Sequence, residues 1–155
     1  MKNLNLSLFS GAGGLDIGLQ QAGFKTLRYI EIDKTCRDTL QLNVPSLNPS
    51  YASQSDNFRI LLNDVTQYTG NTNSSYDLVS GGPPCQSFST AGKREALEDS
   101  RGNLMLEFIR IVDEIRPRFF IMENVRGLTS AKLPDRPAGS VLNEAILPKF
   151  IDMDY

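Results

Sequence analysis

The stretch LFSGAGGLDIG, residues 8 to 18, decides the fold. The apolar run Leu4–Phe9 leads into it, and Gly11, Gly13 and Gly14 interrupt that run. A helical pattern follows, with Leu15, Leu19 and Ala22 on one face and Gly23 as its stop. A strand, a glycine turn and a helix open a βαβ unit. The glycines let the backbone turn sharply and approach a ligand closely. The dinucleotide fingerprint G-x-G-x-x-G is not met, because Asp16 stands where its third glycine would be. The helix N-terminus still offers free N–H groups and a positive dipole to an anionic group such as a carboxylate.

The same alternation runs outward along the chain. Strands are expected at about Leu4–Phe9, Thr26–Ile32, Arg59–Val65, Asp77–Ser80 and Phe119–Glu123, most of them rich in the apolar residues of buried parallel strands. Asp33 is placed to cap a second helix that carries Cys36 and Leu40 inward and ends before Pro45. Leu104, Phe108, Ile111 and Ile115 mark a longer amphipathic helix stopped at Arg116-Pro117. Ser140 starts a last helix through Val141, Leu142, Ala145 and Ile146, which Pro148 ends or kinks. Pro45–Asn57 and Thr129–Gly139 read as loops, and Thr66–Ser75 as a surface connection. This pattern predicts an α/β fold, a mostly parallel sheet with helices on both faces, truncated after about five strands. Ligands of such sheets sit at the carboxyl ends of the strands.

Composition narrows the chemistry. The chain has 155 residues, 40 % of them apolar and 22 % charged, which suits one soluble globular domain. No run approaches membrane-spanning length, and MKNLNLSLFSGAGG is too polar for a secretory signal. Two cysteines, Cys36 and Cys85, suit a reducing, cytoplasmic compartment. With no histidine, neither a Ser-His nor a Cys-His nucleophile pair can be built. A zinc site is not expected from two cysteines 49 positions apart. A formal charge of −2 argues against a whole-surface nucleic-acid binder but leaves room for a local basic loop.

Unusual residues gather at the predicted strand ends. Glu31 ends the second strand 20 residues after Gly11, the spacing at which an acid reaches ribose hydroxyls. Asp64 ends the third, where it can accept from an adenine amino group. Together with the glycine turn, these suggest a nucleoside-containing ligand without phosphates, against the plainer reading of a strand–helix turn with surface acids. In GGPPCQSFSTAGKR, residues 81 to 94, Cys85 follows two prolines that fix φ and remove backbone donors. A thiolate is a nucleophile without a histidine base. Cys36, on a helix face, reads as an inert packing residue. Glu123 and Asn124 end the fifth strand, beside the fourth. Behind four apolar residues in a central strand, the Glu123 carboxyl is expected to be partly desolvated, raising its pKa so that it donates as well as accepts.

These segments, taken in order as LFSGAGGLDIGL, EID, NDV, GGPPCQSFSTAGKR, DSRGNLMLEFIRIV and MENVRGL, resemble the amino-terminal part of the DNA (cytosine-5)-methyltransferases over roughly residues 4 to 128. The Asp/Asn-Pro-Pro-aromatic motif of amine-directed methyltransferases is absent. The resemblance implies a Rossmann-like fold and S-adenosylmethionine as cofactor. Phe9, Gly11, Ala12, Gly13 and Gly14 match residues lining its methionine and adenosine portions. Glu31 matches the acid on the ribose, Asp64 and Val65 the adenine contacts, and Leu104 a further apolar contact. Ile32 stands where many members carry an aromatic side chain against the adenine, which weakens stacking but keeps an apolar contact.

The resemblance also implies double-stranded DNA as partner, commonly in restriction-modification, and a catalytic set of Cys85, Glu123 and Asn124. The Cys85 thiolate adds to cytosine carbon 6, Glu123 serves N3 and the exocyclic amine, and Asn124 positions the cysteine loop. The base must leave the duplex to reach such a pocket. Gln86–Arg101 reads as a closing loop, with Ser89, Lys93, Arg94 and Arg101 as nucleic-acid contacts. The family's later motifs, a Gln-x-Arg-x-Arg segment and a target-recognition region, do not occur before Tyr155. Residues 1–155 are therefore expected to be the amino-terminal part of the catalytic domain, a fragment or one subunit, partnered by the remaining carboxyl-terminal part. An exposed sheet edge after the fifth strand would favour dimerisation. The alternatives are a related enzyme acting on transfer RNA and a non-catalytic cofactor-binding module.

Overall fold

A computed structural model describes residues 3–47, 59–61, 64–70, 76–84, 102–133 and 136–155. Five strands, β1 (Leu4–Leu8), β2 (Lys25–Ile30), β3 (Arg59–Leu61), β4 (Leu78–Gly81) and β5 (Phe119–Met122), form one sheet in the order β3-β2-β1-β4-β5. Every pairing in it is parallel. The strand order reverses at β1, so the crevice between the ends of β1 and β4 is the topological switch point where ligands of open α/β sheets bind.

The two faces of β1 have opposite character, set by the alternation of its side chains. Leu6 and Leu8 are fully buried and join Val79, Phe108, Ile111 and Val112 in the main core. That core is covered by helix α3 (Gly102–Ile115), whose apolar stripe follows the 3.6-residue period. The other face carries Asn5 and Ser7, and both hydrogen-bond Asp16 of helix α1 (Gly14–Gln21). Helix α2 (Lys34–Leu47) follows β2, with the Asp33 carboxylate accepting from Cys36 N–H at 2.9 Å as its cap.

Several boundaries differ from expectation. The third strand is described over Arg59–Leu61, and Asp64, expected within it, instead caps a 3₁₀ turn, Val65–Gln67, through Thr66 N–H at 3.0 Å. Helix α2 runs through Pro45 to Leu47, since a proline near a helix end removes only one ladder bond there. Cys36 is half-buried while Leu40 is 1 % exposed, so only the leucine reaches the core. The segment read as a loop between Thr129 and Gly139 holds part of α4 (Gly127–Ser130) and an antiparallel pair, β6 (Lys132–Leu133) with β7 (Arg136–Ser140). A π-helical segment, Val141–Ile146, then leads into α5 (Leu147–Ile151). Pro148 does not end that helix, because it sits in the first turn, where no N–H is required.

The carboxyl-terminal segment returns to the sheet. Phe150 stacks on Phe120 at 4.2 Å, and Tyr155 donates to Pro117 O at 2.5 Å. Strand β5 is an edge of the described sheet rather than a central strand, with Phe119 53 % and Ile121 39 % exposed on its second face. Among the described residues no helix is long and apolar enough to cross a membrane.

Candidate active site

The glycine turn after β1 is built on left-handed backbone. Gly11 and Gly13 have φ of 54° and 86°, and Phe9, with a side chain, is held at 51°. A non-glycine residue there stores about 1 kcal/mol or more of strain. The partly buried Phe9 ring packs against the core, which offsets it. Gly13 precedes α1 and packs so closely on Leu40 that a Cβ would lie 2.8 Å from its Cδ2. Gly11 and Gly14, in contrast, have open space where a Cβ would point, and Ala12 is exposed.

Glu31 locks this turn to the end of β2. Its Oε2 accepts from Gly11 N–H at 2.7 Å and its Oε1 from Asp33 N–H at 2.8 Å. The carboxylate is 9 % exposed. Each oxygen retains a second lone pair, so the group can also accept from a vicinal diol. Next to it, Ile32 is 68 % exposed and presents an apolar surface. Cys36, one helical turn on, has its thiol pushed above its ordinary pKa by burial and then by Asp33 and Glu31. That keeps it protonated and unreactive.

Asp64 follows β3, the strand beside β2. Its Oδ1 is used by the cap, and among the described residues Oδ2 remains for a donor. Val65 is 4 % exposed and belongs to the core, so its side chain anchors the turn. Leu104 is half-buried against the same core.

On the other side of the switch point, Gly81 follows Leu8 so closely that a Cβ would lie 2.3 Å from the Leu8 carbonyl oxygen. Only glycine permits this β1–β4 approach. Glu123 N–H donates to Gly81 O at 2.9 Å, and the Asn124 amide donates to Pro83 O at 2.9 Å. The Glu-Asn pair is thereby fastened to the Pro-Pro turn two residues before Cys85. A Cβ on Gly82 would lie 3.0 Å from Glu123 Oε2. Glu123 itself is exposed, contrary to the expected desolvation, because its strand lies at the sheet edge. Cys85, Ser89, Lys93, Arg94 and Arg101 lie outside the described residues.

Two polar networks behind the site escaped sequence reasoning. Asp16, 4 % exposed, accepts from Ser7 Oγ and Thr26 Oγ1, each at 2.9 Å. Burial raises its pKa above the ordinary value even though both hydroxyl bonds pull the other way. Arg110 of α3 forms the second network, with the turn that carries Asp64. The acids three before and four after it, Glu107 and Glu114, were its only signal in the sequence.

Comparison with known proteins agrees with this arrangement. The family model for C-5 cytosine-specific DNA methylase matches residues 5–155. The chain belongs to that family. It is 41 % identical over its whole length to the type II methyltransferase M.AquIA of Picosynechococcus sp., covering 61 % of that protein. It is 39 % identical to M.FnuDI of Fusobacterium nucleatum over 82 % of this chain and 33 % of the relative. The chain thus spans less than two thirds of the length of either of these relatives. Among solved structures, one described as a DNA modification methyltransferase encoded within an E. coli prophage superposes with a TM-score of 0.68. The identity is 28 %, over 96 % of this chain and 36 % of that one. The fold is the Rossmann-like fold of S-adenosylmethionine-dependent methyltransferases.

Proposed function

We propose that this chain forms the cofactor-binding and nucleophile-bearing part of a C-5 cytosine DNA methyltransferase. Its substrate is duplex DNA, its methyl donor S-adenosylmethionine, and its remaining partner the carboxyl-terminal part that its relatives' greater length implies. The names of the relatives point to a restriction-modification setting. One observation carries the reading. The ends of β1, β2, β4 and β5 bring the glycine turn, Glu31, Gly82–Pro84 and Glu123–Asn124 to one edge, tied by Gly11–Glu31 and Asn124–Pro83 bonds.

The residues present fit the cofactor. Gly11 and Gly14 leave open the space a Cβ would fill, and the Glu31 carboxylate meets only neutral N–H donors in its two recorded side-chain bonds, so a ribose diol suits it. Asp64 suits the adenine amine, and Ile32 an apolar contact on the ring. S-adenosylmethionine, when bound, supplies the electrophilic methyl group that cytosine carbon 5 takes up.

The remaining work falls to the chain. The prolines hold Cys85 so that its thiolate adds to carbon 6, placing the electron pair of the 5,6 double bond at carbon 5. Glu123, exposed in this chain, is shielded from water once the extruded base lies against it; there it accepts from the exocyclic amine and delivers a proton to N3, which stabilises the developing charge. Asn124 keeps the turn carrying Cys85 in place. Loss of the carbon-5 proton to water then drives out the thiolate, and return of the N3 proton to the Glu123 carboxylate restores the neutral aromatic ring. Ser89, Lys93, Arg94 and Arg101 supply the DNA contacts.

DNA carrying 5-fluorocytosine tests this in the enzyme that contains this chain. Fluorine cannot leave as the proton does, so the adduct should survive denaturing electrophoresis and map by mass spectrometry to Cys85. Cys36→Ser should leave it unchanged. An adduct on Cys36, or none from an enzyme that methylates ordinary DNA, would overturn the mechanism.

A further inference from the structure

Arg110 occupies an unusual position for a residue on an amphipathic helix. Its Nε donates to Glu107 Oε2 at 2.8 Å and its Nη1 to Glu114 Oε1 at 2.6 Å. Its Nη2 reaches off the helix to Tyr68 O at 2.8 Å and Val65 O at 3.3 Å. The second oxygen of Glu114 accepts from Gly70 N–H at 2.6 Å. Gly70 must be glycine for this, since a Cβ would lie 2.7 Å from the Glu114 Cβ. Burial alone would raise the Glu114 carboxyl, but the Gly70 N–H and the guanidinium together hold it below its ordinary pKa. Residues 65–70 are therefore gripped from one helix at both ends. Asp64, whose side chain caps that turn, is the residue immediately before it.

We infer that Arg110 is a positioning residue for purine selection: it fixes the turn that aims Asp64, and thereby sets the preference for a 6-amino purine over a 6-oxo purine. This deepens the proposed function and rests on the assignment of Asp64 to the adenine amine. A planar guanidinium spans two carboxylates and two carbonyls in fixed directions, which a lysine ammonium cannot do. Loosening the turn removes the aim of Asp64 but leaves the Glu31 end untouched. Binding of the adenosyl ligand should fall while binding of an inosyl ligand, which has no amine to offer, should stay.

Calorimetric titration of the enzyme that contains this chain with S-adenosylhomocysteine and S-inosylhomocysteine tests the inference. The wild type should prefer the adenosyl ligand about tenfold, the scale of one hydrogen bond to a charged acceptor. Asp64→Ala should abolish that preference. Arg110→Met should abolish most of it with the inosyl affinity unchanged, and combining it with Asp64→Ala should cost nothing further. Should Arg110→Met not fold, Arg110→Lys is the working variant, with at least half the logarithm of the preference lost. An Arg110 variant that keeps the wild-type preference, or weakens both ligands equally, overturns the inference while a responsive Asp64→Ala leaves the adenine assignment standing. An unresponsive Asp64→Ala overturns the assignment and the inference with it. A wild-type enzyme that binds neither ligand overturns the cofactor reading as a whole.

Discussion

Gly82 and Gly81 are neighbours with different duties, and their substitution separates chemistry from folding. At Gly82 the added Cβ would meet the tip of a flexible side chain, Glu123 Oε2 at 3.0 Å. The carboxyl can swing aside, so Gly82→Ala should fold with a loss of about 1 kcal/mol or less. On the proposed role of Glu123, the cytosine adduct should form about 10- to 100-fold more slowly, because displacing a reacting group by about 1 Å carries penalties of that order. Cofactor affinity should not change. At Gly81 the Cβ would meet main chain, the Leu8 carbonyl oxygen at 2.3 Å, and nothing there can move without parting β1 from β4. Gly81→Ala should therefore lose both folding and cofactor binding. Chemical denaturation with adduct kinetics distinguishes the two, and normal kinetics in Gly82→Ala would show that Glu123 has another resting place.

Helix α1 buries Leu19 and is also fastened to the sheet by a carboxyl group. Asp16 receives hydrogen bonds from Ser7 on β1 and Thr26 on β2, directly behind the glycine turn. Its folded pKa is raised by burial, so the folded state holds the proton more tightly than the unfolded chain does. The resulting stability is fully present below the ordinary aspartate pKa of about 3.9 and is lost as pH rises through the folded value. Asp16→Asn removes this titration while keeping a polar side chain, whose two hydroxyl partners, Ser7 and Thr26, are free to rotate and whose third partner is the Asn5 amide. The wild type should accordingly lose stability relative to Asp16→Asn as pH is raised from about 4 toward neutrality. Urea denaturation of both proteins across that range measures the difference, and a gap independent of pH would show that Asp16 ionises normally.

The molecule closes on itself at its carboxyl-terminal end. Phe150 is 3 % exposed and lies between the sheet and the chain terminus, stacked on Phe120, which also meets Phe108 at 6.3 Å and Tyr155 at 5.2 Å. Arg116 donates to Met153 O at 3.0 Å from the end of α3. Phe150→Ala should cost about 3–5 kcal/mol, through lost burial and the cavity left behind. It lies far in the chain from Glu31 and Asp64, so any loss of cofactor affinity should follow the loss of folded protein. Thermal unfolding with and without S-adenosylhomocysteine checks both points. Among the described residues, the opposite face of β5 carries the exposed Phe119 and Ile121, and the outer edge of that strand has no strand partner. Such an edge invites pairing with another chain or with the longer polypeptide of the relatives.

Much of this was legible in the sequence because it is carried by local pattern. Apolar runs alternating with helical periodicity predict a parallel sheet, and the turn glycines and Asp33 cap mark where its loops begin. Glu31, Glu123 and Asn124 could be placed at strand ends from position alone, because a parallel sheet delivers every strand end to one edge; Asp64 was misplaced, since it caps the 3₁₀ turn that follows β3. Sequence could not decide which strand is outermost. Four apolar residues read as a buried strand wherever they occur, yet β5 lies at the edge and leaves Glu123 in solvent. Nor could it show that Glu31 spends its oxygens on Gly11 and Asp33, that Asp16 is buried among hydroxyls, or that Arg110 grips a turn 42 residues earlier in the chain. Each of these is a polar bond between segments distant in sequence. A polar bond of this kind has no periodicity to announce it; it forms only after packing has brought donor and acceptor together and excluded the water that would otherwise satisfy them.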